Sequence, residues 1–443
     1  MEFDVTSVLV VGAGLAGAEA AMQLARAGIG VRLFEMKPTK FSPAHQSENC
    51  AELVCSNSFK SQGLEQASGL LQEELVRLGS LVMASARMNS VAAGQALAVE
   101  REGFSAHITR VLQEEPLIEL VRGEVVEIPD NCHTIVATGP LGSPAITSEL
   151  ARLTGERGLY FYDAMAPIVD GESIDRSVAY LASRYDKGGD DYLNCPFDRE
   201  EFDRFFAALT AAEKVPTQDF EDEKVFNACQ PIETLAASGD KTLRFGPMKP
   251  VGLVDPRTGR RPWAVVQLRR EDAGGGSWNL VGFQTKLTHP EQERVFRLIP
   301  GLKKAVFNRL GSLHRNTYVD GPKCLDPYLR LRKYPWIQLA GQITGVEGYL
   351  ESAATGLWAG RNLALRLNKM TPDPPPRDTA LGSLIAHVYS APVKKYEPMN
   401  MNFGLLPPLG INMRDKAASK RARSQRALDA LQTWLEAQKE GAG

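Results

Sequence analysis

The chain lacks any apolar run close to the ~20 residues that a membrane-spanning helix requires, and its N-terminus shows no basic stretch followed by a cleavable apolar segment. It also lacks a Cys-x-x-Cys pair. Its six cysteines, Cys50, Cys55, Cys132, Cys195, Cys229 and Cys324, are scattered, and no pair is matched by two histidines at zinc-ligand spacing. No metal is therefore expected, and in a reducing compartment the default reading of such thiols is that of small buried hydrophobes. An excess of charge of one sign is missing as well: 51 Lys and Arg stand against 53 Asp and Glu, a net charge of −2. That balance argues against indiscriminate binding to DNA or RNA through a broad positive field, but leaves room for an RNA met by a local basic patch. Internal repeats and long disordered tracts are absent. The expectation is a cytoplasmic protein with neither a membrane nor a DNA partner.

At 443 residues the chain is too long for one ordinary core, so two domains, or one domain interrupted by an insertion, are expected. The first segment is the most informative. An apolar run, Val8 to Val11, leads into Gly12-Ala13-Gly14-Leu15-Ala16-Gly17, then an alanine-rich helical stretch from Ala18 to Ala27 that Gly28 and Gly30 stop. Val31 to Phe34 reads as a second strand ending at Glu35. Strand, glycine turn, helix, strand and acid form the whole context that a dinucleotide fingerprint needs. Gly12 permits the sharp turn, Gly14 lets a pyrophosphate approach the backbone, and Gly17 lets the helix pack close to the strand. The helix N-terminus offers N–H groups and partial positive charge to the phosphates, and Glu35 is placed to accept from ribose hydroxyls.

Two later strands end in glycine in the same manner: Thr134 to Gly139, and Trp336 to Gly341, the latter followed by Gly345, Gly348 and a helix beginning about Ser352. This pattern resembles the further cofactor-contacting strands of flavoproteins with a two-dinucleotide fold, which favours FAD over a nicotinamide as the resident cofactor. Between these segments the texture changes to charged, aromatic-rich helical stretches (Arg199 to Phe206, Glu213 to Val225). Strands then follow at Trp263 to Arg269 and Trp278 to Phe283, around Gly274-Gly275-Gly276. The expected architecture is α/β: a Rossmann-like, two-dinucleotide-type FAD-binding domain made of residues 1–165 and 325–443, with an inserted α+β domain at 166–324. Pro372 to Pro376 reads as a stiff linker, and Arg414 to Arg426 as a basic C-terminal helix on the surface.

Two thiols stand out. Cys55 sits among Ser56, Asn57 and Ser58, residues that cap helices, and a thiol at a helix start is readily ionised. Cys229 lies in Phe226-Asn227-Ala228-Cys229-Gln230-Pro231-Ile232-Glu233, with a proline bend and a carboxylate just beyond. For each, a buried structural cysteine is the competing reading. Arg257, Arg260, Arg261, Arg269 and Arg270 form the densest cationic cluster and, beside Trp263, would suit RNA; Arg244 to Leu253 is a cationic loop suited to a phosphate or a glutamate tail; for both, a solvated surface is the competing reading.

Across these segments the chain closely resembles the folate- and FAD-dependent tRNA uracil-5-methyltransferases. The matching stretches include Val10 to Gly17, Met36-Lys37-Pro38, Pro43-Ala44-His45, Ala51-Glu52-Leu53-Val54-Cys55-Ser56-Asn57-Ser58 and Gly79-Ser80-Leu81-Val82. Phe161 to Ala164, Cys229-x-Pro231-Ile232-Glu233, Arg244 to Leu253, Val266 to Arg269, Gly282 to Leu287 and Gly341 to Ala353 complete them. The resemblance implies transfer of carbon from 5,10-methylenetetrahydrofolate to C5 of a uridine, most simply uridine 54 in the T-loop of tRNA. FAD would be the reductant and NADPH or NADH its source of electrons. It implies Cys229 as the nucleophile toward uracil C6 and Cys55 as its helper beside the flavin, because C5 is a poor nucleophile until a thiolate adds at C6. Gly12 through Gly17, Glu35, Gly139 and Gly341 would hold the cofactor, and Lys286, His289 and Tyr349 are candidate substrate contacts. The chain departs from the family pattern at Cys50, where an aromatic residue is expected, and at Asn227-Ala228, in place of an acid and a glycine. Three alternatives compete: the same chemistry on a 23S rRNA uridine, an FAD-dependent thiol oxidoreductase with a Cys55–Cys229 pair, and an RNA-binding flavoprotein without catalysis.

Overall fold

The computed structural model describes residues 7–130, 132–155, 159–186, 191–215, 230–272, 274–391, 396–410 and 413–440. Strand β1 (Val8–Val11), helix α1 (Leu15–Arg26) and strand β2 (Val31–Glu35) form the expected unit, with β1 and β2 parallel and Val8 opposite Val31. The helix begins earlier than its alanine content suggests, directly after Gly14, so Gly17 lies inside it. A side chain at Gly17 would stand 1.8 Å from the Gly12 carbonyl oxygen, which is why α1 can lie so close over the turn.

These strands belong to a six-stranded sheet in the order Arg330–Leu331, Tyr334–Leu339, Thr134–Val136, β1, β2, Ile118–Arg122. All neighbours are parallel except the Arg330–Leu331 edge. Parallel strands covered on both faces are buried along their whole length, and β1 accordingly has no exposed residue. The helix Tyr349–Leu367 lies against α1. Small residues make that contact: a Cβ on Gly356 would stand 2.1 Å from the Ala16 carbonyl oxygen, and one on Gly360 would stand 2.5 Å from that of Ala20. This helix starts at Tyr349, three residues before the Ser352 expected from sequence, because Gly348, at φ +119°, makes the turn into it.

A second six-stranded sheet is antiparallel throughout, in the order Tyr180–Leu181, Tyr192–Phe197, Ala264–Arg270, Ser277–Leu280, Ile168–Asp170, Phe307–Arg309. One face carries its own core of Phe197, Phe202, Phe205, Phe283 and Phe296, with the helices Arg199–Ala211 and His289–Phe296 packed on it. An antiparallel pair, Leu159–Ala164 with Leu313–Tyr318, carries the chain out of the first sheet's unit and back.

Two further elements differ from expectation. Glu213 to Val215 is extended rather than helical, with Lys214 bridged to Leu287; the remainder of the stretch expected as helix to Val225 lies outside the described residues. The C-terminal helix runs Lys416–Glu440, well past Arg426, and is not merely a surface element. Ala427, Leu428, Leu431 and Trp434 are buried in the main core, and Arg426 pairs with Asp378. Among the described residues, no helix is long and apolar enough to cross a membrane.

Candidate active site

The turn after β1 opens into a cleft of about 1100 Å³. Gly12 through Ala16, Glu35, Gly139 and Gly341 line it, so the three glycine-ended strands converge as their sequence pattern suggested. Gly17 lies behind, under the turn. Gly12, at φ +98°, takes a conformation other residues rarely adopt, and a Cβ there would strike the Ala137 carbonyl oxygen at 2.6 Å. A Cβ on Gly14 or Gly139 would meet nothing within 4 Å, so both glycines leave backbone facing open space.

Gly14 caps α1 without any side-chain hydrogen bond, so the first-turn N–H groups are directed at the cleft. Glu35 is buried and oriented by two backbone donors, Ala13 N–H and Lys37 N–H, each at 3.1 Å. Each carboxylate oxygen keeps lone-pair capacity for a further donor. Thr138 Oγ1, in the same wall, is buried with no partner. Uncapped N–H groups, an oriented carboxylate and an orphan hydroxyl along an apolar cleft fit a dinucleotide with a pyrophosphate at its centre.

His45 and Lys37 also line this cleft, beyond the residues singled out from sequence. Lys37 Nζ donates to the Asn49 carbonyl at 2.6 Å and pairs with Glu52 at 3.4 Å. Burial, reinforced by Lys37, holds the His45 ring below the usual histidine range and therefore neutral near pH 7.

A second cavity, about 1260 Å³, adjoins the first. Val54, Pro140, Leu141, Gln342 and Tyr349 line both, and Cys55 and Ser56 line the second just past this shared wall. The loop bearing Cys55 is held on all sides. Tyr349 Oη accepts from Cys55 N–H (2.9 Å) and Ser56 N–H (3.2 Å). The Cys55 carbonyl accepts from Arg101 Nη2 (3.1 Å) and Arg309 Nη2 (3.4 Å), and Arg269 Nη2 donates to Ser56 Oγ at 2.8 Å. Arg101 also pairs with buried Glu271 and donates to the Leu53 carbonyl.

Three guanidiniums, Arg269 buried and Arg101 and Arg309 half-buried, thus gather at the Cys55 loop, with the Glu271 carboxylate paired to Arg101, a setting that favours negative charge nearby. Burial works against charge on Arg269 and Arg309, whereas Glu271 outweighs it at Arg101. Burial also raises the Tyr349 hydroxyl well above the usual tyrosine range, so it remains a neutral phenol. Tyr349 lies where the uncapped start of its helix meets both cavities.

The other candidates are placed differently. Lys286 is buried and lines neither cavity; its N–H donates to Glu233 Oε1 at 2.8 Å. Thr285 Oγ1 donates to the other oxygen of Glu233 at 3.0 Å, so this carboxylate is engaged within its own fold. His289 is exposed at the start of its helix and also lines neither cavity. Cys229 lies outside the described residues. Ile232, three residues later, donates to the carbonyl of Gln284, and Gln284 lines the second cavity. Cys50, Cys132 and Cys195 are buried, and burial pushes the Cys195 thiol up to about 12.

The arginine cluster read as one patch is divided by the pleat. Arg269 faces the second cavity, while Arg270, one residue on, lies over Trp278. Arg257 pairs with Asp255, and Trp263 is covered by Arg244 and Arg199. Arg101 and Arg309 went unnoticed in the sequence because each is a lone arginine, distant along the chain from Cys55.

The family model described as "Glucose inhibited division protein A" matches residues 7–371. Among solved structures, Aquifex aeolicus GidA in its form II crystal superposes with a TM-score of 0.70 at 18% identity, covering 98% of this chain and 74% of that one, which establishes the shared fold. The methylenetetrahydrofolate–tRNA-(uracil-5-)-methyltransferase TrmFO of Heliobacterium modesticaldum is 54% identical over 97% of this chain and 98% of its own length. The protein of the same name from Geotalea uraniireducens is 56% identical over 96% of this chain and 98% of its own. The chain belongs to the methylenetetrahydrofolate–tRNA-(uracil-5-)-methyltransferase family.

Proposed function

We propose that this protein forms 5-methyluridine in tRNA, at uridine 54 of the T-loop, with 5,10-methylenetetrahydrofolate as carbon donor and FAD as the resident cofactor. The observation that carries the reading is the continuity of the two cavities, with the Cys55 loop at their shared wall. A dinucleotide lying along the first cleft ends where the second begins, and the second has room for a flat heterocycle. When bound and reduced by NADPH or NADH, FAD would supply the electron pair that takes the transferred carbon from methylene to methyl.

The residues of the chain do the rest. Uncapped N–H groups of α1 hold the pyrophosphate, and Glu35 accepts from the ribose. Cys229 adds to uracil C6, and the displaced π electrons make C5 nucleophilic. After C5 has bonded to the folate methylene carbon it must lose its proton, which a Cys55 thiolate in a guanidinium-rich setting is suited to accept, and the methylene–nitrogen bond then breaks to release tetrahydrofolate. Expulsion of the Cys229 sulfur restores the uracil double bond. Tyr349 and Arg101 act on the backbone of Cys55 and so aim its thiol. NADPH or NADH regenerates the reduced cofactor, and the reaction takes place in the cytoplasm. Residues 1–165 and 325–443 form the FAD-binding domain and 166–324 the insertion. Two separate hydrophobic cores support that division.

The test is transfer of labelled carbon from methylenetetrahydrofolate to unmodified tRNA by the flavin-loaded protein, followed by mapping of the labelled nucleoside. Label at C5 of uridine 54, lost in Cys229→Ala, is the expected result. Flavin-loaded protein that leaves the RNA unlabelled, or Cys229→Ala that labels it at the wild-type rate, defeats the reading.

A further inference from the structure

The antiparallel sheet has one face packed on its own phenylalanine core and another that runs out of the second cavity. On the Ala264–Arg270 strand the outer face carries Val265, Gln267 and Arg269 in alternation. Arg269 lines the cavity beside Ser56. Two residues back along the strand, roughly 7 Å away, Gln267 accepts from Arg184 Nε at 2.9 Å. Arg184 in turn donates through Nη1 to the Val251 carbonyl at 2.8 Å, and Tyr185 N–H donates to the Gly252 carbonyl at 2.9 Å. These bonds tie the turn at Arg184–Asp186 to the loop following Phe245, whose Pro247 packs against Gly282 in the wall of the second cavity.

What this rim exposes is unusual for a surface. Phe245 is 76% exposed, Tyr185 63%, Val254 59% and Val251 39%. Apolar side chains clustered in this way mark a contact site more often than idle surface. Lys249, Arg260 and Arg261, from the same stretch of chain, are exposed, Arg260 pairing through its backbone with Asp255 beside Val254, and among the described residues none of the three has an ion-pair partner. The nearby carboxylate of Asp255 is committed to Arg257 at 2.8 Å. Rigid aromatic faces beside uncompensated cations match unstacked bases and the phosphodiesters that link them.

We propose that this rim, with Tyr185 and Phe245 as stacking faces and Lys249, Arg260 and Arg261 as phosphate contacts, is the landing surface for the RNA strand flanking the uridine held in the second cavity. The proposal rests on the methyltransferase reading above and names the RNA-facing part of that site. An anionic membrane also suits cations with exposed apolar groups. Continuity with the cavity through Gln267 and Arg269 favours RNA, because a uridine reaching Cys55 must bring its neighbouring nucleotides past this edge.

The experiment compares full-length, flavin-loaded wild type with a Lys249→Ala, Arg260→Ala, Arg261→Ala triple variant and with Phe245→Ala. The probe is an unmodified tRNA transcript, titrated over a range of salt concentrations. Each lost phosphate contact lowers the slope of log affinity against log salt by roughly 0.7–0.9. The triple variant should therefore lose about 2–3 from the slope and at least ~10-fold in affinity. Phe245→Ala should weaken binding several-fold with the slope unchanged. Flavin absorbance and the rate of Cys55 alkylation should match wild type in both. Wild-type slope and affinity in both variants overturn the proposal, as does loss of anionic-vesicle binding in the triple variant with tRNA binding intact. If the triple variant loses its flavin, Phe245→Ala, at an exposed position, decides alone. Wild-type protein that neither binds nor labels tRNA would instead overturn the methyltransferase reading itself.

Discussion

The two adjoining cavities are built on opposite principles. The first is made largely of backbone: a glycine turn, the uncapped start of α1 and two further strands ending in glycine, with Glu35 as the main charged group that the fold orients. The second is made of side chains from distant parts of the chain, with Arg101, Arg269, Arg309 and Tyr349 converging on one short loop. A backbone site binds what many proteins bind and is tolerant of side-chain change wherever no Cβ intrudes. A side-chain site performs one reaction and depends on the identity of each contributor.

Changes that strike one cavity and spare the other sharpen this contrast. The largest effect is expected from Cys55→Ala: methyl transfer should fall by ~10²-fold or more, while flavin binding is unchanged because Cys55 does not line the first cleft. Retention of wild-type turnover would remove Cys55 from the chemistry.

Arg101→Gln comes next. It leaves Glu271, whose side chain is only 5% exposed, as a buried carboxylate without its partner. Breaking a buried pair in this way costs about 3–5 kcal/mol. Urea unfolding should show that loss and Glu271→Gln should recover part of it, whereas equal midpoints for wild type and Arg101→Gln would mean that the pair does not brace the site.

Two glycines, Gly14 lining the first cleft and Gly17 beneath its turn, should then separate ligand from fold. Gly17→Val, facing the Gly12 carbonyl, should lower the apo-protein's stability by about 1–3 kcal/mol. Gly14→Val, whose added carbons enter open space, should leave apo-protein melting intact but weaken FAD at least ~10-fold. Equal melting losses in the two variants would show that Gly14 serves packing rather than the ligand.

The last effect is a slope. Burial pushes the Glu19 carboxyl, on α1, up to about 7, from an ordinary value of 4.5. The folded state therefore binds this proton more tightly than the unfolded chain, so its contribution to stability is complete below about pH 4.5 and is lost as pH rises toward 7. Glu19→Gln, which mimics the protonated form, should flatten that decline by at most ~3 kcal/mol across the window. An unchanged slope would mean that Glu19 ionises in the fold as it does in the open chain.

The first cavity was legible in the sequence because its parts are local. Gly12, Gly14, Gly17 and Glu35 lie within one strand–helix–strand unit, where backbone sterics and the period of the strand decide each role. The resemblance to a known family drew on equally local stretches, and the comparisons agree with it. The Cys55 loop was visible as a motif, but its partners were not: Arg101 opens a helix 46 residues on and Arg309 belongs to a strand of the other sheet. Lys286 and His289 looked promising because they follow the strand that lines the cavity. One is buried away from both cavities and the other turns out to solvent, which the sequence could not distinguish.

By itself, then, the chain's order of residues determined the parallel sheet, the glycine turn and the family, since each depends on neighbours along the backbone. Only the tertiary structure decided which arginine of the pair Arg269 and Arg270 faces the thiol, which glycines press on backbone and which on open space, and that two clefts share one wall. Those facts depend on where strands from separate sheets come to rest, and on a pleat that turns adjacent side chains to opposite faces.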